Sequence, residues 1–232
     1  MPNPVVKVHT IEEWLKLTPE VKLLLLRNIR LKERLFKWLE NRPRNPDLIR
    51  APDGKTYIPC LSCEKTGWEY QRERKPGIHP SQLPHPCHLK IYNEMVGAPG
   101  TRNIDPRLHL IFDMGHAIHK MLQTYGELGA WGPYYKKEVE LSPETNEFAH
   151  RYMIEASVDA DHILVIDDIP NHPVTYELGI VHEYKSSNSN NFDKLTGPKP
   201  EHQKQASIYS EGLDRPVVVY LYLNKNDQNI AE

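Results

Sequence analysis

Glu183 and Lys185 stand two residues apart in VHEYKSSNSN (181–190), a stretch whose apolar and charged residues alternate at the period of a β-strand. That spacing puts a carboxylate and an ammonium on one strand face, with Val181 beside them. Two readings of the face are open. It is an edge strand carrying solvated charge, or a strand that brings an acid and a cation to one place for chemistry. The pair alone decides nothing, since Glu73 and Lys75 repeat the spacing in a polar loop. Asp159 adds weight. It is expected to end the strand MIEASVDA (153–160), directly before the hairpin whose return arm carries Glu183. Two carboxylates on neighbouring strands repel, and they coexist best with a divalent cation between them. The plainer alternative is that Asp159 is a turn residue before Ala160 and Asp161. Glu155, on the same strand face as Asp159, is a candidate outer ligand.

Two helical stripes extend the set. Gly115 and His119 are spaced i, i+4, so they share a helix face. The glycine permits close approach to a sheet, and the imidazole one turn later offers a nitrogen ligand. His202, Gln205 and Tyr209 fall at i, i+3, i+7, a second stripe suited to holding a phosphate or a base. Satisfied polar residues on ordinary half-buried helices are the competing explanation for both.

The elements that must position these groups are readable from pattern. Thr10 and Glu13 form a capping box before IEEWLKL, and Thr18-Pro19 opens a helix running through PEVKLLLLRNIRLKERLFKWLE to the break NRPRNPD. Residues 51–87 read as irregular, with turns at PDGKTY, KPGIHP and LPHPC, and CHLKIYNEMVG reads as a short helix. PRLHLIFDMGHAIHKMLQTYGEL is a long helix with Leu108, Ile111, Ile118, Leu122 and Tyr125 on one stripe. Strands follow at YYKKEVEL, RYMIEASVDA, HILVIDD and TYELGIVHEYKSS. A helix at PEHQKQASIYSEGL and a closing apolar strand at RPVVVYLYLNK complete the chain. This order predicts an α/β fold around a mixed sheet. Three regions are expected within one compact unit: basic N-terminal helices over 1–50, a cysteine-containing segment and short helix over 51–100, and the core over 101–232.

Helical Gly-x-x-x-His in GHAIH (115–119), Asp in SVDA (157–160), Glu-x-Lys in HEYKSS (182–187) and Gln-x-x-x-Tyr in QASIY (205–209), then an apolar strand, is an order that resembles the PD-(D/E)XK nuclease superfamily. The similarity is to its RecB-like branch, which includes phage exonucleases and CRISPR-associated RecB-like nucleases. It spans about residues 77–225, and GIHPSQLPHPCHLKIYNEMVG looks like the helix that opens such folds. The resemblance implies a restriction-endonuclease-like α/β core, a mixed central β-sheet flanked by helices, here with an N-terminal helical and cysteine-containing elaboration. It also implies hydrolysis of DNA phosphodiesters to leave a 5′-phosphate, with Mg²⁺ or Mn²⁺ held by Asp159, Glu183, His119 and the backbone carbonyl of Tyr184. Lys185 would orient the attacking water or neutralise charge on the phosphorane, and Gln205 and Tyr209 would position DNA or the lysine. Ser157 stands where many relatives carry glycine, which leaves the local backbone path open. An idle nucleic-acid-binding or assembly module on the same fold is the alternative function.

Cys60 and Cys63 in CLSC, with Cys87 and nearby histidines, suggest a tetrahedral structural zinc site. His79 is the preferred fourth ligand, with His85 and His88 as alternatives. Relatives in the CRISPR-associated branch hold an iron–sulfur cluster with four cysteines. Three cysteines here make that the lesser reading, in need of another fourth ligand.

The 232 residues carry 29 Lys/Arg against 31 Asp/Glu, a near-neutral total that announces no polyanion partner. Residues 21–50 hold nine Lys/Arg against three Asp/Glu, enough for a basic surface or a solvated helix face. The pattern contains no apolar run of about 18 residues and no signal-peptide start, and an odd cysteine count disfavours a disulfide scaffold. The expectation is a cytoplasmic protein, or one in a host's cytoplasm if phage-encoded, with DNA as partner and no membrane. A homo-oligomer or a protein partner in a DNA-processing complex stays open.

Overall fold

β4 (Thr175–Ser187) is the axis of the fold, because every residue from Leu178 to Tyr184 is buried. A strand covered on both faces reads as near-continuous burial rather than alternation. Along one edge runs β3 (Ala156–Ile166), antiparallel, from Ala160 opposite His182 to Ile166 opposite Tyr176. Two parallel strands share the other edge in succession. β1 (Val5–Val8) pairs with Thr175–Leu178, and β5 (Val217–Asn224) pairs with Ile180–Ser187. β2 (Tyr135–Leu141) lies outside β3, and β6 (Ile230–Ala231) outside β5, both antiparallel. The result is a mixed six-stranded sheet flanked by helices, an α/β architecture. The computed structural model describes residues 4–41, 77–84, 88–96, 106–167, 169 and 172–232.

Gly179 marks the handover from β1 to β5. A Cβ there would stand 2.5 Å from the His9 carbonyl oxygen and 2.8 Å from Arg215 Cδ, so only glycine lets both neighbours close on the strand. Arg215 follows α8 (Pro200–Leu213). It forks onto Asp161 of β3 through Nε–Oδ1 at 2.6 Å and Nη2–Oδ2 at 2.9 Å.

Thr10 and Glu13 form the expected capping box on α1 (Ile11–Leu15), and Thr18 caps α2 (Pro19–Asn28) with Pro19 in its first turn. The single helix expected through residue 40 is two. Arg30 takes a left-handed φ of 49°, and α3 (Leu31–Asn41) starts afresh beyond it. The Glu232 carboxylate accepts the Leu31 and Lys32 amides at 2.9 and 2.8 Å. A residue 200 positions away thus satisfies donors that a continuous helix would have paired internally.

α4 (His88–Met95) and α5 (Pro106–Glu127) occupy their expected places. Ile118 and Leu122 of α5 enter the larger core with Leu25, Leu31 and Leu35 of α2 and α3, Trp131, and Leu178, Ile180 and Tyr184 of β4. Ile111 does not join them and stands 55% exposed. Against Val181 packs a smaller cluster with Leu141, Val158, Tyr209 of α8 and Ala149 of α6 (Glu147–Tyr152). Each fully buried Leu or Ile contributes about 1.5–3 kcal/mol.

Two strand expectations are corrected. RYMIEASVDA is helix in its first residues, because Asn146 accepts the Ala149 amide and caps α6; β3 begins at Ala156. SVDA and HILVI are one uninterrupted strand, so Asp159 sits inside β3 rather than at its end, and the chain reverses after Ile166. α7 (Ser189–Phe192), β1 and β6 are additions to the expected set. No described helix is long and apolar enough to cross a membrane.

Candidate active site

The β3–β4 ladder ends at Ala160 opposite His182, although both strands continue. β3 goes on with β2 and β4 goes on with β5, so the two central strands part. Asp159 is the first residue past the fork. Its Oδ2 accepts the Tyr184 amide at 2.7 Å, a side chain standing in for the missing backbone partner. Its Oδ1 lies 3.1 Å from His119 Nδ1, and Gln123, one turn further along α5, donates to the Asp159 carbonyl at 3.3 Å. Burial pushes the His119 imidazolium down, but the hydrogen bond and charge of Asp159 outweigh it, and His119 titrates above its usual value. Gly115 faces Ser186, where an added Cβ would meet Oγ at an ordinary 3.5 Å, so close approach does not itself demand glycine.

Glu183 is 1% exposed, and Lys185 Nζ lies 2.5 Å from its Oε1. The Lys185 ammonium is thus the close partner of a carboxylate oxygen that is otherwise enclosed by the fold. Burial and then the Asp159 charge push the Glu183 carboxyl up to about 7, against the pull of Lys185 and His119. Lys185 also donates to Gln205 Oε1 at 3.3 Å, and Gln205 Nε2 donates to Tyr209 OH at 2.8 Å. Tyr209 thereby fixes the amide so that its oxygen faces the lysine. Burial holds the Tyr209 phenol well above its ordinary pKa, so it stays neutral.

The residues named from sequence thus meet at the fork: His119 from α5, Asp159 from β3, Glu183, Tyr184 and Lys185 from β4, Gln205 and Tyr209 from α8. Glu155 lies buried ahead of β3, its Cβ beside Gly77. Among the described residues, no three His, Cys, Asp or Glu side chains form a ready-made cage for an ion. Asp159 is engaged by Tyr184 and His119, and Glu183 by Lys185. Cys60, Cys63, Cys87 and His85 lie outside the described residues, as does the His88 side chain, whereas His79 opens the turn before α4.

Sequence reasoning passed over the site's two walls. On one side Tyr220 and Tyr222 of β5 stand opposite Glu183 and Lys185 in the parallel register, hence on their face. Burial first, then the Glu183 charge, push the Tyr220 phenol up to about 12. The signal was present, since YLY alternates within an apolar strand. On the other face a directed chain runs behind Tyr184. His162 Nε2 faces the Pro133 carbonyl at 3.1 Å, so it carries the proton and leaves Nδ1 to accept. His182 Nε2–H therefore donates to His162 Nδ1 at 3.2 Å, Tyr184 OH donates to His182 Nδ1 at 3.1 Å, and Tyr135 OH donates to Tyr184 at 2.9 Å. Trp131 stacks on Tyr184. This chain anchors the side chain of the residue whose amide holds Asp159.

No protein-family model matches the chain, and comparison with curated proteins finds no match. Among solved structures, the crystal structure of SSO0001 aligns over 89% of this chain and 75% of that one, at 15% identity. Its TM-score of 0.40 is too low for the likeness to carry any argument.

Proposed function

We propose that the chain is a divalent-metal-dependent deoxyribonuclease of the PD-(D/E)XK superfamily, RecB-like branch. It hydrolyses DNA phosphodiesters to leave a 5′-phosphate, acting as an exonuclease in DNA processing, recombination or phage DNA metabolism. One observation carries the reading. His119, Asp159, Glu183, Lys185, Gln205 and Tyr209, chosen by type and order, meet at one fork of the sheet.

The donor set suits Mg²⁺ or Mn²⁺: two carboxylates, one imidazole, and the Tyr184 carbonyl as a further oxygen. The burial of Glu183, and the upward push that it receives from the Asp159 charge, are what a divalent cation would relieve. When bound, such an ion adds positive charge at a phosphate oxygen and acidifies water for attack. The chain's own residues do the rest. The carboxylates of Asp159 and Glu183 and the His119 ring hold the ion's place. Gln205 is a second acceptor for Lys185, so the ammonium can release Glu183 without losing every partner. Lys185 then faces the attacking water and the charge that builds on the phosphate oxygens, and Tyr209 keeps Gln205 turned toward it. For Cys60, Cys63, Cys87 and His79 we propose a structural zinc site, with His85 or His88 as alternative fourth ligands; a colourless protein with stoichiometric zinc supports it, and an iron-dependent visible spectrum overturns it.

The test is cleavage of linear, end-blocked and circular DNA by the purified protein with Mg²⁺ or Mn²⁺. Wild type degrades DNA, while Lys185→Ala and Asp159→Ala lose the activity and keep the fold. Undiminished cleavage by both variants overturns the assignment. Tight DNA binding without cleavage by wild type supports an idle binding module instead.

A further inference from the structure

Tyr222 and His202 form a unit that the proposed chemistry leaves unused. The Tyr222 hydroxyl accepts the Lys199 amide at 3.1 Å, so its own proton is free to point elsewhere. His202 Nδ1 lies 2.6 Å away, within reach of that proton. A backbone amide can only donate, and the arrangement that also uses the phenol proton runs from Lys199 N–H to Tyr222 OH and from Tyr222 O–H to His202 Nδ1. In that arrangement the imidazole keeps its proton on Nε2, on the side of the ring away from Tyr222. His202 is half-buried on the α8 stripe one turn before Gln205, and Tyr222 is the register partner of Lys185. Burial, and then the nearby Lys185 charge, hold His202 down to about 4, so it is uncharged near neutral pH. A neutral N–H donor beside a lysine, in the first turn of a helix, is complementary to a phosphate oxygen.

Resting on the nuclease reading above, we infer that His202 is a substrate-binding residue: its Nε2–H, oriented by Tyr222, hydrogen-bonds a non-bridging phosphate oxygen of the DNA backbone beside Lys185. Because the donor is neutral, it grips phosphate without displacing a counterion, which sets it apart from any lysine or arginine contact.

Two measurements test this, and they fail separately. The first needs no DNA. Nitrogen NMR of the imidazoles gives His202 as the neutral Nε2–H tautomer at pH 7, and Tyr222→Phe loses that tautomer's dominance. An Nδ1–H ring or an imidazolium at pH 7 overturns the inference. The second is binding of a short fluorescent DNA, with Ca²⁺ replacing Mg²⁺ to prevent cleavage. His202→Ala weakens binding about tenfold, the scale of a hydrogen bond to a charged group. The slope of log affinity against log salt stays unchanged, whereas losing a cation lowers it by about 0.9. His202→Gln, which keeps an amide N–H near the Nε2 position, recovers part of the loss, and with Mg²⁺ the alanine variant raises KM more than it lowers kcat. Unaltered affinity or a reduced slope overturns the role of His202 while the nuclease reading stands. Failure of wild type to bind or cleave DNA overturns the nuclease reading, and this inference with it.

Discussion

The Tyr184 amide donates to Asp159 Oδ2 at 2.7 Å where the β3–β4 ladder stops, so one carboxylate both closes the fork and furnishes the site. The two duties separate by mutation. Asp159→Asn keeps an oxygen for the amide and leaves stability within about 1 kcal/mol, while Asp159→Leu orphans a buried N–H at a cost of about 1–3 kcal/mol. Under the proposed function, both lose Mn²⁺-dependent cleavage. Thermal melts beside an activity assay read the separation, and equal melting of the two variants would contradict the structural duty.

Gly179 is fixed by contact rather than by an unusual backbone angle. Gly179→Ala pushes a methyl into the His9 carbonyl and Arg215, and backbone cannot step aside as a flexible side chain does. The expected loss is about 1–3 kcal/mol, typical of overpacking. Urea denaturation measures it, and an unchanged midpoint would show that β1 yields freely.

Arg215 and Asp161 join α8 to β3 through a two-pronged ion pair, with the Asp161 side chain only 11% exposed. Arg215→Ala strands that carboxylate and should cost about 3–5 kcal/mol. Arg215→Lys should recover less than half, since an ammonium cannot make both prongs. Adding Asp161→Asn to Arg215→Ala should cost less than the sum of the two changes; strict additivity would mean that the pair is not coupled.

His162 gives the fold an acid limit. Burial is the main cause that lowers it to about 4; Arg34 adds to that, while the Pro133 carbonyl and Asp161 oppose it. The unfolded chain takes up a proton near pH 6.5 that the folded protein refuses, so stability is full above 6.5 and is lost as pH falls toward 4. The linkage amounts to about 2 kcal/mol between pH 7 and pH 5. In His162→Asn, stability at pH 7 drops but the fall on acidification shrinks by about that amount. Denaturant curves at the two pH values decide, and an undiminished fall would place the acid sensitivity elsewhere.

Local signals in the chain were strong enough to place most elements and to single out the residues that meet at the fork. The capping box at Thr10 and Glu13, the period of α5, and the run of buried β4 residues each express short-range sterics and burial, so sequence periodicity carries them. Glu183 and Lys185 share a face because strand geometry allows nothing else. Tertiary structure decided the rest. α2 and α3 separate because Glu232 reaches Leu31, and Asp159 works from inside β3 because the sheet forks there. The contacts from Lys199 through Tyr222 to His202 depend on two elements meeting. Such long-range contacts leave no period in the sequence, because the partners are free to lie any distance apart along the chain and are matched only when the sheet assembles.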